Sequence, residues 1–209
     1  MKIFILRHGE SVANFEKRLP TKDTPLTETG VQQATAAAAY LSGNWIQLIY
    51  ASPATRAFQT AKIVSERLSL QIMVRPEVKD MSFGAFGGRK EDGSDKDVNE
   101  LLKERNKDRL GHRFPEGENF YDIQKRVLPL IKEIISSQKQ AVAVVGHLYP
   151  NRIIVSELVG VSLEECLRIK QPNDLIYVVD TQTRSVRHWH AGQEKDGLLL
   201  REASKLGPE

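Results

Sequence analysis

Three consecutive residues near the start of the chain, Arg7, His8 and Gly9, have side chains suited to phosphoryl transfer. A guanidinium can bind two phosphate oxygens at once, and its positive charge disfavours the charged form of an adjacent histidine. The neutral ring of His8 could then attack phosphorus as a nucleophile. Such a short motif also arises by chance, and the alternative is a structural histidine whose ring bonds only to the backbone.

The position of this triplet strengthens the phosphate interpretation. Residues 3–6 are all apolar and predict a short buried strand, which places His8 at the C-terminal end of that strand. In an open α/β sheet, ligands bind at this edge. Gly9 is expected to give the backbone flexibility directly after the histidine.

A second predicted strand, residues 46–50, is followed by another polar junction. Ser52 and Pro53 are typical of a helix N-cap and a first helical residue, and the helix is expected to continue to about residue 68. Arg56 then falls in the first turn of this helix. Its guanidinium is therefore expected at the same edge of the sheet as His8.

A third junction follows the predicted strand at residues 141–145, where His147 comes after a glycine. Pro150 is expected to open a helix over residues 151–159, and the first N–H groups of a helix attract anions. Two histidines, two arginines and a helix N-terminus at one sheet edge predict a pocket for a tetrahedral dianion.

The elements that would position these residues alternate between strands and helices. This order predicts an α/β fold with a mainly parallel central sheet, helices on both faces and an antiparallel edge near the C-terminus. We expect one domain over residues 1–209, with a loop at 10–29 and a polar tail from about 193 to 209. The remaining predicted elements are a strand at 71–74, helices at 30–41, 96–108 and 120–136, and a hairpin of 175–180 with 185–190.

Composition narrows the class of protein. Hydrophobic residues make up 40% and charged residues 27% of the chain, which is typical of a soluble globular protein. No apolar run is long enough to cross a bilayer, and the single cysteine, Cys166, fits a reducing compartment, so we expect a cytoplasmic protein. The net charge of +3 is small, and the sequence contains no run of basic residues. Both observations argue against nucleic-acid and membrane partners. The sequence does not determine the oligomeric state, and a homodimer is one of the possible states.

Taken together, these motifs resemble the histidine phosphatase superfamily, the phosphoglycerate-mutase-like enzymes with an Arg-His-Gly signature. Their order and spacing match over most of the chain. The resemblance implies the phosphoglycerate-mutase-like fold. The matching segments are residues 6–11 (LRHGES) with Asn14, 23–30 (DTPLTETG), 52–57 (SPATRA), 60–61 (TA), 83–84 (FG), 115–119 (PEGEN), 146–147 (GH) and Asn173.

The resemblance also implies a role for each matching residue. His8 corresponds to the nucleophile that becomes phosphorylated, and His147 to a second histidine that donates to the phosphoryl oxygens. Arg7, Asn14 and Arg56 correspond to phosphate-binding positions. The implied reaction has two steps, transfer of phosphate to His8 and its removal by water. We expect no cofactor, and no metal ion because the sequence offers no convincing cluster of ligands.

Two departures from the family pattern stand out. Asp80 occupies the position, three residues before the Phe-Gly pair, where the family usually has a glutamate that protonates the leaving oxygen. Asp80 is the first candidate for the general acid and Glu77 the second. Leu148 and Tyr149 follow His147 where many members have two glycines, so they are expected to crowd the mouth of the pocket and shape the leaving-group site.

The leading functional prediction is an acid-type histidine phosphatase that hydrolyses a small phosphate monoester without a metal ion. A cofactor-dependent phosphoglycerate mutase is the first alternative, although mutases resemble longer chains and only residues 88–118 are available here for the corresponding insertion. The second alternative is a weakly catalytic protein that binds a phosphorylated ligand in a regulatory role, which only the aspartate at position 80 favours.

Several other polar residues have structural explanations. Asn14 could simply cap a turn, as asparagine often does in loops. His188 and His190 alternate along one predicted strand and could form half of a metal site, but an exposed strand face explains them better. The mixed charges of residues 96–109 predict a solvent-exposed face, with substrate gating as the alternative.

Overall fold

The first strand, β1, lies near the middle of the sheet, and its position explains its sequence. In the computed structural model, which describes residues 1–202, β1 spans Lys2–Arg7 and its four apolar residues are buried. A strand covered on both faces needs an unbroken apolar run instead of an alternating one. The seven strands are β1 (Lys2–Arg7), β2 (Ile49–Ala51), β3 (Ile72–Val74), β4 (Ala141–Gly146), β5 (Ile176–Asp180), β6 (Val186–His190) and β7 (Gln193–Asp196).

These strands form one mixed sheet in the order β3-β2-β4-β1-β5-β6-β7. The first four strands in this order are parallel to one another. On the other side of β1, strand β5 pairs antiparallel with β1, β6 with β5, and β7 with β6. The predicted mainly parallel sheet with an antiparallel C-terminal edge is therefore confirmed. The carboxyl ends of β2, β4 and β1 lie side by side, so the residues that follow these strands meet at one edge.

Two hydrophobic cores cover the sheet. Alternate strand residues such as Ile5 and Val144 face a core shared with the fifth and sixth helices, whereas Leu6 and Val145 face a core shared with the second and third. Helices therefore lie on both faces, as predicted. The helices are α1 (Val12–Phe15), α2 (Glu28–Leu41), α3 (Thr55–Leu68), α4 (Lys96–Lys107), α5 (Phe120–Ser136), α6 (Leu148–Val159) and α7 (Leu163–Cys166), with 3-10 turns at Pro76–Val78 and Gly84–Phe86.

The predicted tail beyond residue 193 is partly wrong. Gln193–Asp196 forms β7, the outermost strand, and all four of its residues are exposed. A strand paired on one side only and open to solvent lacks the apolar alternation that would reveal it. Residues 203–209 of the predicted tail lie outside the described residues.

Helix starts also differ from the prediction. Ser52 is not the N-cap of α3, since that helix begins at Thr55 after Ala54. Pro150 does not open α6, which begins at Leu148 directly after His147. The segment predicted as a loop at 10–29 contains the short helix α1, which is too short to show a 3.6-residue period.

Among residues 1–202, no helix has the length and apolar character needed to span a membrane.

Candidate active site

The three polar junctions meet at the carboxyl ends of neighbouring strands. His8 follows β1, His147 follows β4 and Ser52 follows β2, with β4 between the other two strands. The rings of His8 and His147 have centroids 5.0 Å apart, and both side chains are buried. The histidines predicted from separate parts of the chain therefore face one another.

Gly9 lies at a close backbone contact. A Cβ atom on Gly9 would lie 2.2 Å from the carbonyl oxygen of Gly30 in α2, and one on Gly30 would lie 2.0 Å from that of Glu10. Gly9 has no positive φ angle, so the expected flexibility is not its role. The glycine pair instead lets the His8 loop pack against the first turn of α2.

The hydrogen bonds of His8 define its tautomer. Nδ1 lies 2.7 Å from the carbonyl oxygen of Gly9, which can only accept, so Nδ1 carries the proton. Nε2 consequently has a free lone pair, and it accepts a hydrogen bond of 3.1 Å from Nε of Arg56. Burial is the largest cause that lowers the pKa of His8 well below its usual value, and the nearby charges of His147, Arg56 and Arg7 add to it. His8 is therefore a neutral imidazole.

The backbone around His8 is held from three sides. Its N–H donates to the carbonyl of Gly146, and its own carbonyl accepts from Nδ2 of Asn173 at 2.7 Å. The N–H of Gly9 donates to Oγ1 of Thr60 at 3.1 Å. Thr60 and Asn173 belong to the segments that resemble the family pattern. These hydrogen bonds give both residues a role in positioning His8, which the sequence did not reveal.

Arg56 is the centre of the buried network. Its guanidinium donates to Nε2 of His8, to the carbonyl of Thr21 at 2.7 Å and to Oδ2 of Asp80 at 2.7 Å. Only 1% of Arg56 is exposed. Such burial excludes the role of an ordinary surface salt-bridge partner for Arg56.

His147 lies between β2 and the loop that carries Asp80. Its Nε2 is 2.9 Å from Oγ of Ser52, and its Nδ1 is 3.3 Å from Oδ2 of Asp80. Burial lowers the pKa of His147 to about 4, although the carboxylate of Asp80 opposes this shift. Ser52, predicted as a helix cap, instead contacts the second histidine.

Asp80 is ionised in this arrangement. Burial would raise its pKa, but His147 and the Arg56 guanidinium outweigh burial and hold the pKa of this carboxyl far below its usual range. Its loop is held by Arg126 of α5, which donates to the carbonyl of Asp80 at 3.0 Å and to the carboxylate of Glu118. Arg126 shows no local signal in the sequence, because its partners lie in distant segments.

Glu77, the second candidate acid, lies elsewhere. Its carboxylate accepts two hydrogen bonds from Arg75 on the protein surface, and these bonds lower its pKa. Glu77 is absent from the walls of the cavity that His8 and Asp80 line. Geometry therefore favours Asp80 for any proton transfer to a ligand of His8.

A cavity of about 480 Å³ opens above His8 and Asp80. Arg7 and Asn14, two of the predicted phosphate-binding residues, line it, whereas Arg56 and His147 lie behind its wall and reach it only through their contacts with His8 and Asp80. Oδ1 of Asn14 also accepts from the N–H and Oγ of Ser11, so Asn14 caps α1 as well. The remaining wall residues are Lys17, Arg18, Leu19, Pro20, Phe83, Glu91, Leu148, Tyr149 and Arg201.

The same centre contains the one group of potential metal ligands among residues 1–202. His8, Asp80 and His147 each offer an atom within 4.8 Å of the others. Arg56 already donates to two of these three residues, and its fixed positive charge opposes a cation there. The arrangement suits an anion better. His188 and His190 lie elsewhere, and His188 is buried, contrary to the expected exposed face.

Comparison with known proteins agrees with this geometry. The family model of the histidine phosphatase superfamily (branch 1) matches residues 3–191. A relative from Hydrogenobacter thermophilus, assigned as phosphoserine phosphatase 2, is 30% identical over 181 residues, which cover 82% of this chain and 85% of the relative. A GpmB protein of Yersinia pestis, assigned as a phosphoglycerate mutase, is 27% identical over 87% of this chain and 86% of its own length.

Solved structures share the fold. The alpha-ribazole phosphatase of Shigella flexneri has a TM-score of 0.78 at 24% identity, covering 95% of this chain and 96% of that one. A mycobacterial glucosyl-3-phosphoglycerate phosphatase has a TM-score of 0.77 at 24% identity, covering 94% and 96%. The structural matches confirm the predicted fold, and the family model together with the Hydrogenobacter thermophilus relative confirms the predicted family. The chain belongs to the histidine phosphatase superfamily, branch 1.

Proposed function

We propose that this protein hydrolyses phosphate monoesters through a phosphohistidine on His8, with Asp80 as the proton donor. The observation that carries the proposal is the state of His8. Its Nε2 is unprotonated, buried and directed at the Arg56 guanidinium, beside a cavity bordered by Arg7. A neutral nucleophile held against fixed positive charge suits attack on a phosphoryl group.

In the first step, Nε2 of His8 attacks phosphorus while the bond to the leaving oxygen breaks. In the structure without substrate, Nε of Arg56 donates to Nε2 of His8. When the substrate enters, this donor must therefore turn from His8 to the phosphoryl oxygens. Arg7 and His147 supply further positive charge or hydrogen bonds at the same edge. The charge on the transferring group is the main quantity that such a site stabilises.

The ionised state of Asp80 limits how it can act as an acid. A phosphate group that takes over Arg56 removes the strongest fixed cation from Asp80 and adds negative charge nearby, and both changes raise the pKa of Asp80. A substrate that binds as the monoanion also brings a proton that Asp80 can accept and pass to the leaving oxygen. We therefore expect an acid-type phosphatase, with turnover of alkyl phosphates falling above the second pKa of the substrate.

In the second step, water replaces the departed group. The carboxylate of Asp80 accepts a proton from this water as its oxygen bonds to phosphorus and the bond to Nε2 breaks. His8 returns to its neutral form and inorganic phosphate leaves. No step requires a metal ion, because arginine side chains provide the positive charge.

A rapid-quench experiment with a ³²P-labelled phosphate ester tests this mechanism. We expect protein-bound label that is stable to alkali and labile to acid, as a phosphohistidine is, and no such label on His8→Ala. Near-normal phosphate release by folded His8→Ala protein would overturn the mechanism. Binding of the ester without release or labelling would favour the phospho-ligand binding alternative.

The mutase alternative is separated by the fate of the phosphoryl group. With 3-phosphoglycerate as substrate, hydrolysis yields inorganic phosphate and glycerate, whereas a mutase yields 2-phosphoglycerate. The segment between β3 and α5 contributes only α4 and two short turns, which favours access of water to the site. We expect inorganic phosphate as the main product.

A further inference from the structure

The loop that carries Asp80 has no regular structure of its own. Residues 79–83 lie between the 3-10 turns at Pro76–Val78 and Gly84–Phe86, and no helix or strand includes them. The carboxyl of an aspartate is joined to the backbone through one methylene group, so it moves little unless the backbone moves. The place of Oδ2 of Asp80, 2.7 Å from Nη2 of Arg56 and 3.3 Å from Nδ1 of His147, therefore depends on what fixes this loop.

One ion pair from outside the loop contacts the loop backbone at several points. Arg126 donates to the carbonyl of Asp80 at 3.0 Å and to the carbonyl of Glu77. Its partner, Glu118, accepts from the N–H of Ser82 at 2.9 Å, and the N–H of Glu118 donates to the carbonyl of Ser82 at 2.9 Å. A bond of 2.9 Å from Nε of Arg126 to Oε1 of Glu118 joins the two side chains. We refer to Arg126 and Glu118 together as the loop clamp.

The loop clamp is anchored on a rigid element. Arg126 lies in α5 next to Val127 and one turn after Ile123, and both of these apolar residues are fully buried in the core. Glu118 directly precedes Asn119, the N-cap of α5, whose capping box fixes the start of the helix. The side chains of Arg126 and Glu118 are only 16% and 15% exposed, which limits competition from water. The clamp therefore ties the position of the Asp80 loop to that of α5.

The clamp residues do not border the space where a substrate would bind. Asp80 lines the catalytic cavity, whereas Arg126 and Glu118 are absent from its walls. A ligand in this cavity would therefore meet the carboxyl of Asp80 but neither side chain of the clamp. Any effect of the clamp on the reaction has to pass through the residues that it holds, and Asp80 is the one among them that reaches the cavity.

We propose that Arg126 and Glu118 are positioning residues for proton transfer, because they hold the carboxyl of Asp80 where it reaches the leaving oxygen. This inference rests on the proposed function and adds two residues to it. Since the clamp acts through Asp80, its loss should slow the reaction where Asp80 must donate a proton and change little where the leaving group needs none. A clamp that only stabilised the fold would affect all esters alike.

Arg126→Lys tests the proposal, because it keeps the positive charge but loses the planar fork that bonds to Glu118 and to the loop carbonyls together. The phosphorylation step with ethyl phosphate should slow about tenfold or more, since a displacement of about 1 Å can cost ~10²-fold in rate. The same step with p-nitrophenyl phosphate should change less than about twofold, because nitrophenolate leaves without a proton. Rapid-quench measurement of labelled His8 with the two ³²P-labelled esters gives both rates.

The same substitution in the Asp80→Asn protein shows whether the clamp acts through the carboxyl. With the acid already removed, Arg126→Lys should have almost no further effect on the phosphorylation step with ethyl phosphate. A general structural role of Arg126 would instead make the two losses multiply, as substitutions at independent sites do.

Two further variants complete the experiment. Glu118→Gln keeps the shape of the side chain but removes its charge, and it should show the same dependence on the leaving group if Arg126→Lys does not fold. Arg89→Lys is the control, since Arg89 pairs with Asp95 and Asp97 outside this loop. Equal slowing of phosphorylation with both esters, or losses that multiply with Asp80→Asn, would overturn the inference. Absence of label on His8 in the unsubstituted protein would instead contradict the proposed function.

Discussion

Two pairs of histidines in this chain show how position decides chemistry. His8 and His147 follow parallel strands, are buried and contact Arg56, Asp80 and Ser52. His188 and His190 lie within β6 on the antiparallel side, where one bonds to a backbone carbonyl and the other lies 3.2 Å from an exposed carboxylate of Asp174. The residue type is the same in both pairs. Only strand ends let several side chains converge on one point.

The largest effect expected from this comparison is the loss of the nucleophile. His8→Ala should lower phosphate release by ~10⁴-fold or more, because His8 is the one histidine that lines the cavity among residues 1–202. His188→Ala, the matched control, should leave turnover nearly unchanged. Steady-state phosphate release by the purified variants, with circular dichroism as a check on folding, measures the difference.

The second test separates proton donation from simple charge. Asp80→Asn should slow hydrolysis of an alkyl phosphate by ~10²-fold or more, since an alkoxide needs a proton as it leaves. The phosphorylation step with p-nitrophenyl phosphate should change little, because nitrophenolate leaves without a proton. Burst kinetics with both substrates resolve this step. Glu77→Gln is the control, and a dependence on the leaving group in that variant would move the acid to Glu77.

A third prediction concerns stability and pH. The pKa values of His8 and His147 are lowered in the folded protein, so the unfolded chain binds more protons below its ordinary histidine pKa of about 6.5. The free energy of unfolding should therefore fall as pH decreases from about 6.5 toward 4, by on the order of 3 kcal/mol for His147, and His8 should add to the fall in the same direction. Urea unfolding between pH 7 and 4 measures the slope.

The control for this slope uses the same two pairs of histidines. His147→Asn should flatten the dependence on pH, whereas His188→Ala should keep it. An unchanged slope in His147→Asn would show that other groups cause the acid sensitivity.

The smallest expected effect is that of metal removal. Treatment with EDTA should leave phosphate release unchanged, because Arg56 occupies the space between the potential ligands His8 and Asp80. Loss of activity that a single divalent metal restores would contradict a mechanism based on arginine charge alone.

Much of the site could be predicted because its chemistry is concentrated at strand ends. His8, Arg56 and His147 each come after a short apolar run, and the mainly parallel sheet follows from the alternation of strands and helices. The partners that fix them could not be predicted. Arg126 and Ser52 act through contacts between segments far apart in the chain, and local sequence patterns contain no information about such contacts.

Other errors have equally physical causes. Arg105 belongs to a charged run that predicts a solvent-exposed face, yet Tyr149 and Phe114 cover its guanidinium. The strand β7 has no apolar residue to mark it and exists because β6 offers an unpaired edge. Both depend on neighbours that only the folded chain provides.

The bond between Asp80 and Arg56 has a consequence for product release. The carboxylate of Asp80 competes with inorganic phosphate for the guanidinium of Arg56. Its Oδ2 lies 2.7 Å from Nη2 of Arg56 and is held there by the protein chain. A tethered competitor weakens the affinity for phosphate and speeds its departure. Product inhibition by phosphate should accordingly be weak in this enzyme, and substitution of Asp80 by a neutral residue should strengthen it.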